Sequence, residues 1–361
     1  MKPVHRFTPF VQPWTRRQAL YFLAGAVGTV TLNACTQNAR TSSGANSTSN
    51  PSGDENPSNL ISAAIGVNPW IGQAPLHIAY EKGFFREAGL DLDVKNFGTN
   101  LEMIPAFSAG QLQGISAMPS SEAILMAANG TDYRVIGVMD LSAGGDAILA
   151  RNSIGDIQDF KGKQVAVQEG GLGHFFVLQV LKEAGLSAED ISILNAGPDV
   201  AAAAYQSGSV DIAFTYSPYL EQANAEQPDG RIIYDTSKMP TAIIDLNLVS
   251  ADFAQAHPEA VQAFLDGIFK AQEFLETNPD EAYAIVSRPL GIQPEEVGEQ
   301  LQGVKLPDLQ AHLEMMTNPQ SEFYLLNALS EMAEFLQAQG QIDTIPDLSR
   351  LVDAQFLSNL A

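Results

Sequence analysis

The feature that most constrains this 361-residue chain is an alternation, run through twice, of short apolar stretches with helical segments that stop at glycine. A short apolar run bounded by turn residues reads as a buried strand. A longer segment with apolar residues three and four apart reads as a helix. Alternating the two implies mainly parallel sheets with helices on both faces, an α/β architecture. In the first round the pattern predicts strands over Ile61–Val67, Leu90–Val94, Gly114–Met118, Val135–Met139 and Asp146–Ala150. Helices are predicted over Ala74–Lys82 and Leu101–Ala109, stopped by Gly83 and Gly110, and from a Ser120 or Ser121 cap to Ala128. In the second round strands fall at Gln164–Gln168, Ile191–Leu194 and Val210–Thr215. The matching helices are Phe175–Ala184, ended by Gly185, and Val200–Gln206 with Asp199 as cap, and Ser217-Pro218 opens another. Glycine suits the stops because it takes the left-handed backbone that closes a helix.

Local echoes support two lobes of one design. Ala88-Gly89-Leu90 is matched by Ala184-Gly185-Leu186, and Ser108-Ala109-Gly110-Gln111-Leu112 by Gln206-Ser207-Gly208-Ser209-Val210. Beyond Asp245 the pattern becomes a run of helices without strands, over Glu259–Glu276, Pro279–Ser287, Pro294–Gln302 and Ser321–Gln339. The expected division places lobe one at 60–150 plus 246–361 and lobe two at 151–245, with crossings near Ile148–Arg151 and Ile243–Leu248. In open α/β sheets ligands bind outside the carboxyl ends of the strands. Two lobes facing each other therefore enclose a cleft that closes by a hinge.

The N-terminus reads as an address and a tether. Lys2, Arg6, Arg16 and Arg17 precede a short apolar stretch, Ala19–Leu32, and no acidic residue occurs before Cys35. A basic head with a short apolar run is an export signal rather than a membrane span. Thr15-Arg16-Arg17 resembles a twin-arginine signal, with a general secretory signal as the alternative. Leu32-Asn33-Ala34-Cys35 resembles a bacterial lipobox, which implies a signal peptide over 1–35 and lipidation of Cys35. Residues 36–58, mostly Ser, Thr, Asn, Gly and Pro, are expected to be a flexible linker. Later segments lack the length and apolarity of a transmembrane helix.

Charge and cysteine usage narrow the function. Nineteen basic residues face 42 acidic ones, for a net charge of −23. Removing the four basic residues ahead of Cys35 leaves 15 against 42, or −27. Such a chain disfavours nucleic acid, whose binding depends on Lys and Arg displacing phosphate counterions. One cysteine excludes an intrachain disulfide and a CxxC motif. Glu169-Gly170-Gly171-Leu172-Gly173-His174 lacks the Lys-Ser/Thr ending of a phosphate-binding loop. No catalytic triad, metal-ligand cluster or paired acid/base motif stands out, so no metal, cofactor or catalytic residue is expected.

Several segments, in order, resemble one family. Ile65-Gly66-Val67-Asn68-Pro69-Trp70-Ile71-Gly72, with Pro75-Leu76 and Gly83-Phe84-Phe85, is similar to the opening of substrate-binding proteins of nitrate, sulfonate, taurine and thiamine-precursor ABC importers. Asp159-Phe160-Lys161-Gly162-Lys163-Gln164-Val165-Ala166-Val167 resembles the opening of their second lobe. Asp211-Ile212-Ala213 with Tyr216-Ser217-Pro218-Tyr219 resembles a further stretch, with Tyr216 where a tryptophan is common. Ser250-Ala251-Asp252-Phe253 and His257-Pro258-Glu259-Ala260 resemble the return segment. The resemblance covers roughly Ile61 to Thr277. It implies the two-lobed periplasmic-binding-protein fold (type II-like) with a helical C-terminal segment. It also implies a monomeric extracytoplasmic solute receptor, lipid-anchored here, whose partners are a small-molecule solute and an ABC permease and ATPase complex. The alternatives are a periplasmic enzyme, or a ligand-sensing subunit, on the same bilobed fold.

Candidate ligand contacts lie on the expected strand-end loops. Pro69, Trp70 and Gly72 follow the first strand, and Trp70 either stacks on a solute or fills core. Thr99 and Asn100 follow the second strand as contacts or as helix caps. Ser120 and Ser121 begin a helix, where backbone N–H groups hold an anionic or carbonyl oxygen. Asp146, after Gly144-Gly145, accepts from an amine or amide or steadies a turn. Gly171, Gly173 and His174 open the second-lobe helix, with His174 a cap, a contact or a base. Tyr216 and Ser217 complete the set. No Lys or Arg falls among these loops, so sulfonate-like and neutral or zwitterionic solutes both stay open.

Overall fold

The computed structural model describes residues 60–358 and 360, which fall in one compact unit. The expected signal peptide, Cys35 and the linker over 36–58 lie outside the described residues. Among the described residues no helix is long and apolar enough to cross a membrane. The strands are β1 (Ile61–Val67), β2 (Leu90–Asn96), β3 (Gly114–Pro119), β4 (Tyr133–Ser142), β5 (Asp146–Arg151), β6 (Gln164–Val167), β7 (Ser192–Asn195), β8 (Ile212–Tyr216), β9 (Gly230–Asp235), β10 (Ile244–Ser250) and β11 (Val304–Lys305). They form two helix-flanked sheets, ordered β11-β4-β10-β3-β1-β2 and β7-β6-β8-β5-β9.

The strand–helix–strand rounds supply the parallel part of each sheet. β1 pairs with β2 and β3, and β6 pairs with β7 and β8, all parallel. Elsewhere the expectation of mainly parallel sheets is corrected. β10 runs antiparallel to β3 and β4, β11 to β4, and β5 to β8 and β9. The cause is where a crossing chain enters. Parallel strands end at the seam between the lobes, so a strand arriving from the other lobe starts there and runs the opposite way. Asp146, which opens β5, accordingly lies beside Tyr216, which closes β8. Asp245, near the start of β10, likewise lies beside Pro119 at the end of β3.

Because β5 belongs to the second sheet, the strands change sheet at Ala143–Gly145 rather than near Ile148–Arg151. They return between β9 and β10, and Thr236 ties the two crossings together. Its hydroxyl accepts from the Gly144 N–H at 2.8 Å and shares a 2.6 Å hydrogen bond with Ser142. Gly145 must lack a side chain, since a Cβ there would lie 2.7 Å from the Trp70 ring and 3.0 Å from the Gly303 carbonyl. The Gly303 carbonyl accepts from both Ala143 and Gly145.

The helix Ala74–Lys82 forms as predicted, closed by Gly83 at φ 77°. Ser120 and Ser121 sit inside the first turn of Ser120–Ala128, and no side chain caps that helix. Asp199 likewise lies in the first turn of Pro198–Gln206, behind Gly197. The C-terminal region is helical over Pro258–Thr277, Pro279–Leu290, Pro294–Gln300, Leu309–Thr317 and Leu325–Ala338, but it also contributes β11. Along β5 successive side chains serve opposite faces, as the pleat requires. Ile148 and Ala150 join the main core, while Ala147 and Leu149 join a smaller core with Ala201 and Tyr205.

The Gly83-Phe84-Phe85 segment docks on the C-terminal helices. Phe85 stacks on Phe264 with ring centroids 5.4 Å apart, over Gly267, where a Cβ would approach Phe85 to 2.4 Å. Gly267→Ala should therefore lower stability by about 1–3 kcal/mol, the usual range for overpacking. Calorimetric melting of the variant checks this, and an unchanged or raised melting temperature would show that the stack yields freely.

Candidate ligand-binding seam

The loop after β1 meets the second lobe directly. Asn68 Nδ2 donates to the Tyr216 hydroxyl at 3.3 Å. The Trp70 ring stands edge-on to Tyr216, with centroids 5.7 Å apart and planes at 82°. Trp70 Nε1 donates to Asp140 Oδ2 at 3.0 Å. That bond requires Gly72, because a Cβ there would lie 2.1 Å from the same oxygen. Farther along the seam the Leu172 N–H donates to Glu122 Oε1 at 3.1 Å, and Gln168 Nε2 reaches Thr99 Oγ1 at 3.4 Å. Between these contacts lies a cavity of about 20 Å³. Asn100 and Glu122 line it from the first lobe, and Gln168, Leu172, Phe214 and Tyr216 from the second. Its volume suits a water molecule or two, so a larger solute enters only when the lobes part.

The expected site residues divide into groups. Trp70, Thr99, Asn100, Gly173 and Tyr216 lie on the seam or its cavity. Gly171 belongs with them, since a Cβ there would come within 3.3 Å of Glu122. Pro69 is half-buried on the same loop, and Ser120 and Ser121 are buried beside Glu122 in the helix's first turn. Asp146 is buried at the start of β5. His174 turns back on its own loop, with Nδ1 accepting from the Gly170 N–H at 3.2 Å. Burial lowers its pKa and favours the neutral ring. The buried Ser217 hydroxyl donates to Glu221 at 2.5 Å.

The NMT1/THI5-like family matches residues 70–282, well over half of the chain and both lobes. The chain belongs to this family. The match encloses Asp159–Val167, the Tyr216 region and the return segment, which carried the resemblance in the sequence. The chain is 27% identical over 286 residues to the taurine-binding periplasmic protein of Escherichia coli (strain K12), an alignment covering 76% of this chain and 86% of that relative. Its fold matches the alkanesulfonate-binding protein SsuA from Xanthomonas axonopodis pv. citri bound to MOPS, with TM-score 0.67 and 20% identity over 81% of this chain and 98% of that one. The desulfurization enzyme DSZB shares the fold as well, with TM-score 0.61 and 18% identity over 82% and 98%. Identities this low for the two structures show the bilobed architecture alone.

In this NMT1/THI5-like chain, sequence reasoning overlooked the residues that set the seam's electrostatics. Glu122, Asp140 and Asp245 join Asp146 as buried carboxyls. Burial raises the Glu122 pKa to about 8, against the Leu172 N–H bond that lowers it and with the nearby Asp146 charge raising it further. Burial raises Asp146 to about 7; its hydrogen bond to Ser142 opposes the rise and Glu221 adds to it. Asp140 and Asp245 are cross-strand neighbours that hydrogen-bond to each other, and burial pushes both upward. One signal was legible: Asp140 and Asp245 interrupt otherwise apolar strand runs, where a charge is costly unless paired or protonated.

A carboxyl whose pKa is raised in the fold binds its proton more tightly folded than unfolded. Its contribution is complete below the unfolded value of about 4 and is lost as pH rises toward the folded value. For Asp146 that window runs from about 4 to about 7. Asp146→Asn should therefore flatten the fall in melting temperature across the window, by an amount on the order of a few kcal/mol in stability. Parallel pH profiles for the variant and the unaltered protein would show that Asp146 is not held protonated.

Proposed function

We propose that this chain is an extracytoplasmic solute-binding lipoprotein that delivers a small solute to the permease and ATPase of an ABC importer. The solute is a small organic or oxyanionic molecule of the sulfonate, taurine, nitrate or thiamine-precursor kind. The observation that carries this reading is the seam itself, where strand-end loops of both lobes meet around a small cavity. The likeness to a taurine-binding periplasmic protein over most of the chain supports it. Both chain crossings lie together beside the seam, tied through Thr236, which suits a hinge. A hinge that opens and shuts on a solute is the motion such a receptor needs.

Binding rather than turnover is the reading the contacts favour. His174 is turned to Gly170 and Ser217 to Glu221, neither forming a serine–histidine pair with the other. The solute contacts proposed are Trp70, Tyr216, Asn100, Thr99 and the first turns at Ser120 and Gly171–Gly173, with Pro69 and Asp146 supporting the loop and the crossing. Cys35 is proposed as the lipid anchor and the Ser/Thr/Asn-rich segment after it as the tether.

A thermal-shift screen of sulfonates, amino acids, pyrimidines and inorganic anions should find a solute that raises the melting temperature and is recovered unchanged. A ligand confined to the folded state adds about 2.7 kcal/mol at a hundredfold excess over its dissociation constant. Catalytic formation of a product would favour the enzyme reading instead. For the solute found, Trp70→Ala should weaken binding about tenfold or more, since about 1.4 kcal/mol is one decade and an aromatic platform also contributes apolar contact. Full affinity in a folded Trp70→Ala protein would place the site elsewhere.

The anchor has its own test. Cys35→Ser should abolish labelling by a fatty-acid probe and release the exported protein from membranes. Retention of that variant after a carbonate wash would refute the tether.

A further inference from the structure

We infer that the seam selects a solute whose head carries a positive charge or several N–H donors, presented to the Glu122 carboxylate and the Asn100 amide oxygen. The inference rests on the reading of the seam as a solute site and names the chemistry that the site would choose.

Two side-chain oxygens of residues lining the cavity are buried without a partner. Glu122 Oε1 accepts from the Leu172 N–H, whereas Glu122 Oε2 is buried without a partner. Asn100 lines the same cavity from a different helix, is only 5% exposed, and its Oδ1 is also buried without a partner. Asn100 Oδ1 is an acceptor, and Glu122 Oε2 is one when its carboxyl is ionised. The ionised carboxylate accepts only, so the partner it then lacks must be a donor. Leaving a buried acceptor unmet is unfavourable, more so when it is charged.

The field around the cavity has the same preference. Asp146 acts on Glu122 through space, and Asp245 lies close enough to feel Glu122, Asp140 and Asp146. Among the described residues no Lys or Arg lines the cavity. A fully ionised oxyanion brings no donor to these oxygens and holds Glu122 in its protonated form. An ammonium or amidinium head supplies donors to both free acceptors and offsets the field. A zwitterion satisfies the same condition at one end. Unliganded, burial favours the protonated Glu122 carboxyl. A cation beside it favours the ionised form, so capture of an amine near pH ~7 should release protons.

Calorimetry on the full chain with matched probes tests the inference. The pairs are taurine against isethionate and β-alanine against hydroxypropionate, each differing by an amine replaced with a hydroxyl. The amine-bearing member of a pair should bind about tenfold tighter or more, the scale of one charge-assisted hydrogen bond. Its binding heat should vary with the ionisation enthalpy of the buffer. Glu122→Gln, checked for an intact melting transition, should erase most of that preference and the proton release. Equal affinity within both pairs, or a preference untouched by Glu122→Gln, would overturn the inference while leaving solute binding intact. If neither these probes nor any solute in the thermal-shift screen binds, the solute-receptor reading itself falls, and the inference with it.

Discussion

The hydrogen bond from Trp70 to Asp140 is the contact on which the seam's geometry depends. It joins the loop after β1 to the end of β4. Gly72 leaves room for it, and Gly145 leaves room for the far edge of the same indole. One ring thus touches the first lobe, the crossing at Ala143–Gly145 and, through Tyr216, the second lobe. The bond also gives a buried carboxyl one of its few donors. Without Nε1, Asp140 would keep the cross-strand Asp245 beside it, and that group bears the same charge when ionised. The tryptophan is therefore core and seam at once, buried and edge-on to Tyr216.

The antiparallel strands follow from the same arrangement. The first lobe's parallel strands run toward the seam, and the chain can change lobes only there. A crossing strand must start where its neighbours finish, which sets Asp146 beside Tyr216 and Asp245 beside Asp140 and Pro119. Acidic residues at these starts are brought together by connectivity, although they lie about a hundred positions apart in the chain. Burial is the main reason these groups favour protonated forms, and their mutual repulsion adds to it.

Much of the fold was legible because its signals are local. The run Ile61–Val67, the helix Ala74–Lys82 and its left-handed Gly83 are decided by neighbours within a few residues. What was missed depends on distant partners. β9 reads Gly-Arg-Ile-Ile-Tyr-Asp and becomes a strand by pairing with β5, and the two-residue β11 exists only against β4. Ser120 and Asp199 have the residue types of caps, but Pro119 and Gly197 take the cap positions. Glu122 reads locally as an acid favoured in a helix's first turn. Nothing near it in sequence shows that its carboxylate meets a backbone amide fifty positions away.

These observations also bear on why a receptor would keep unmet acceptors in its closed seam. When the lobes part, water can hydrate Glu122 Oε2 and Asn100 Oδ1 at little loss. When they shut without a solute, only the water or two that the cavity admits can still meet these acceptors, and the rest of that hydration is lost. A seam so built resists empty closure, while the ring contact at Trp70 and Tyr216 and the cross-lobe bonds favour it. A solute can shift that balance only by what it gains in the closed state beyond the open one. A donor that meets Glu122 and Asn100 together supplies this difference, because both line the cavity from the first lobe and closure against the second removes the water that would otherwise hydrate them. Satisfied acceptors there would let the lobes close equally well empty, and closure would then carry no information about whether a solute is present.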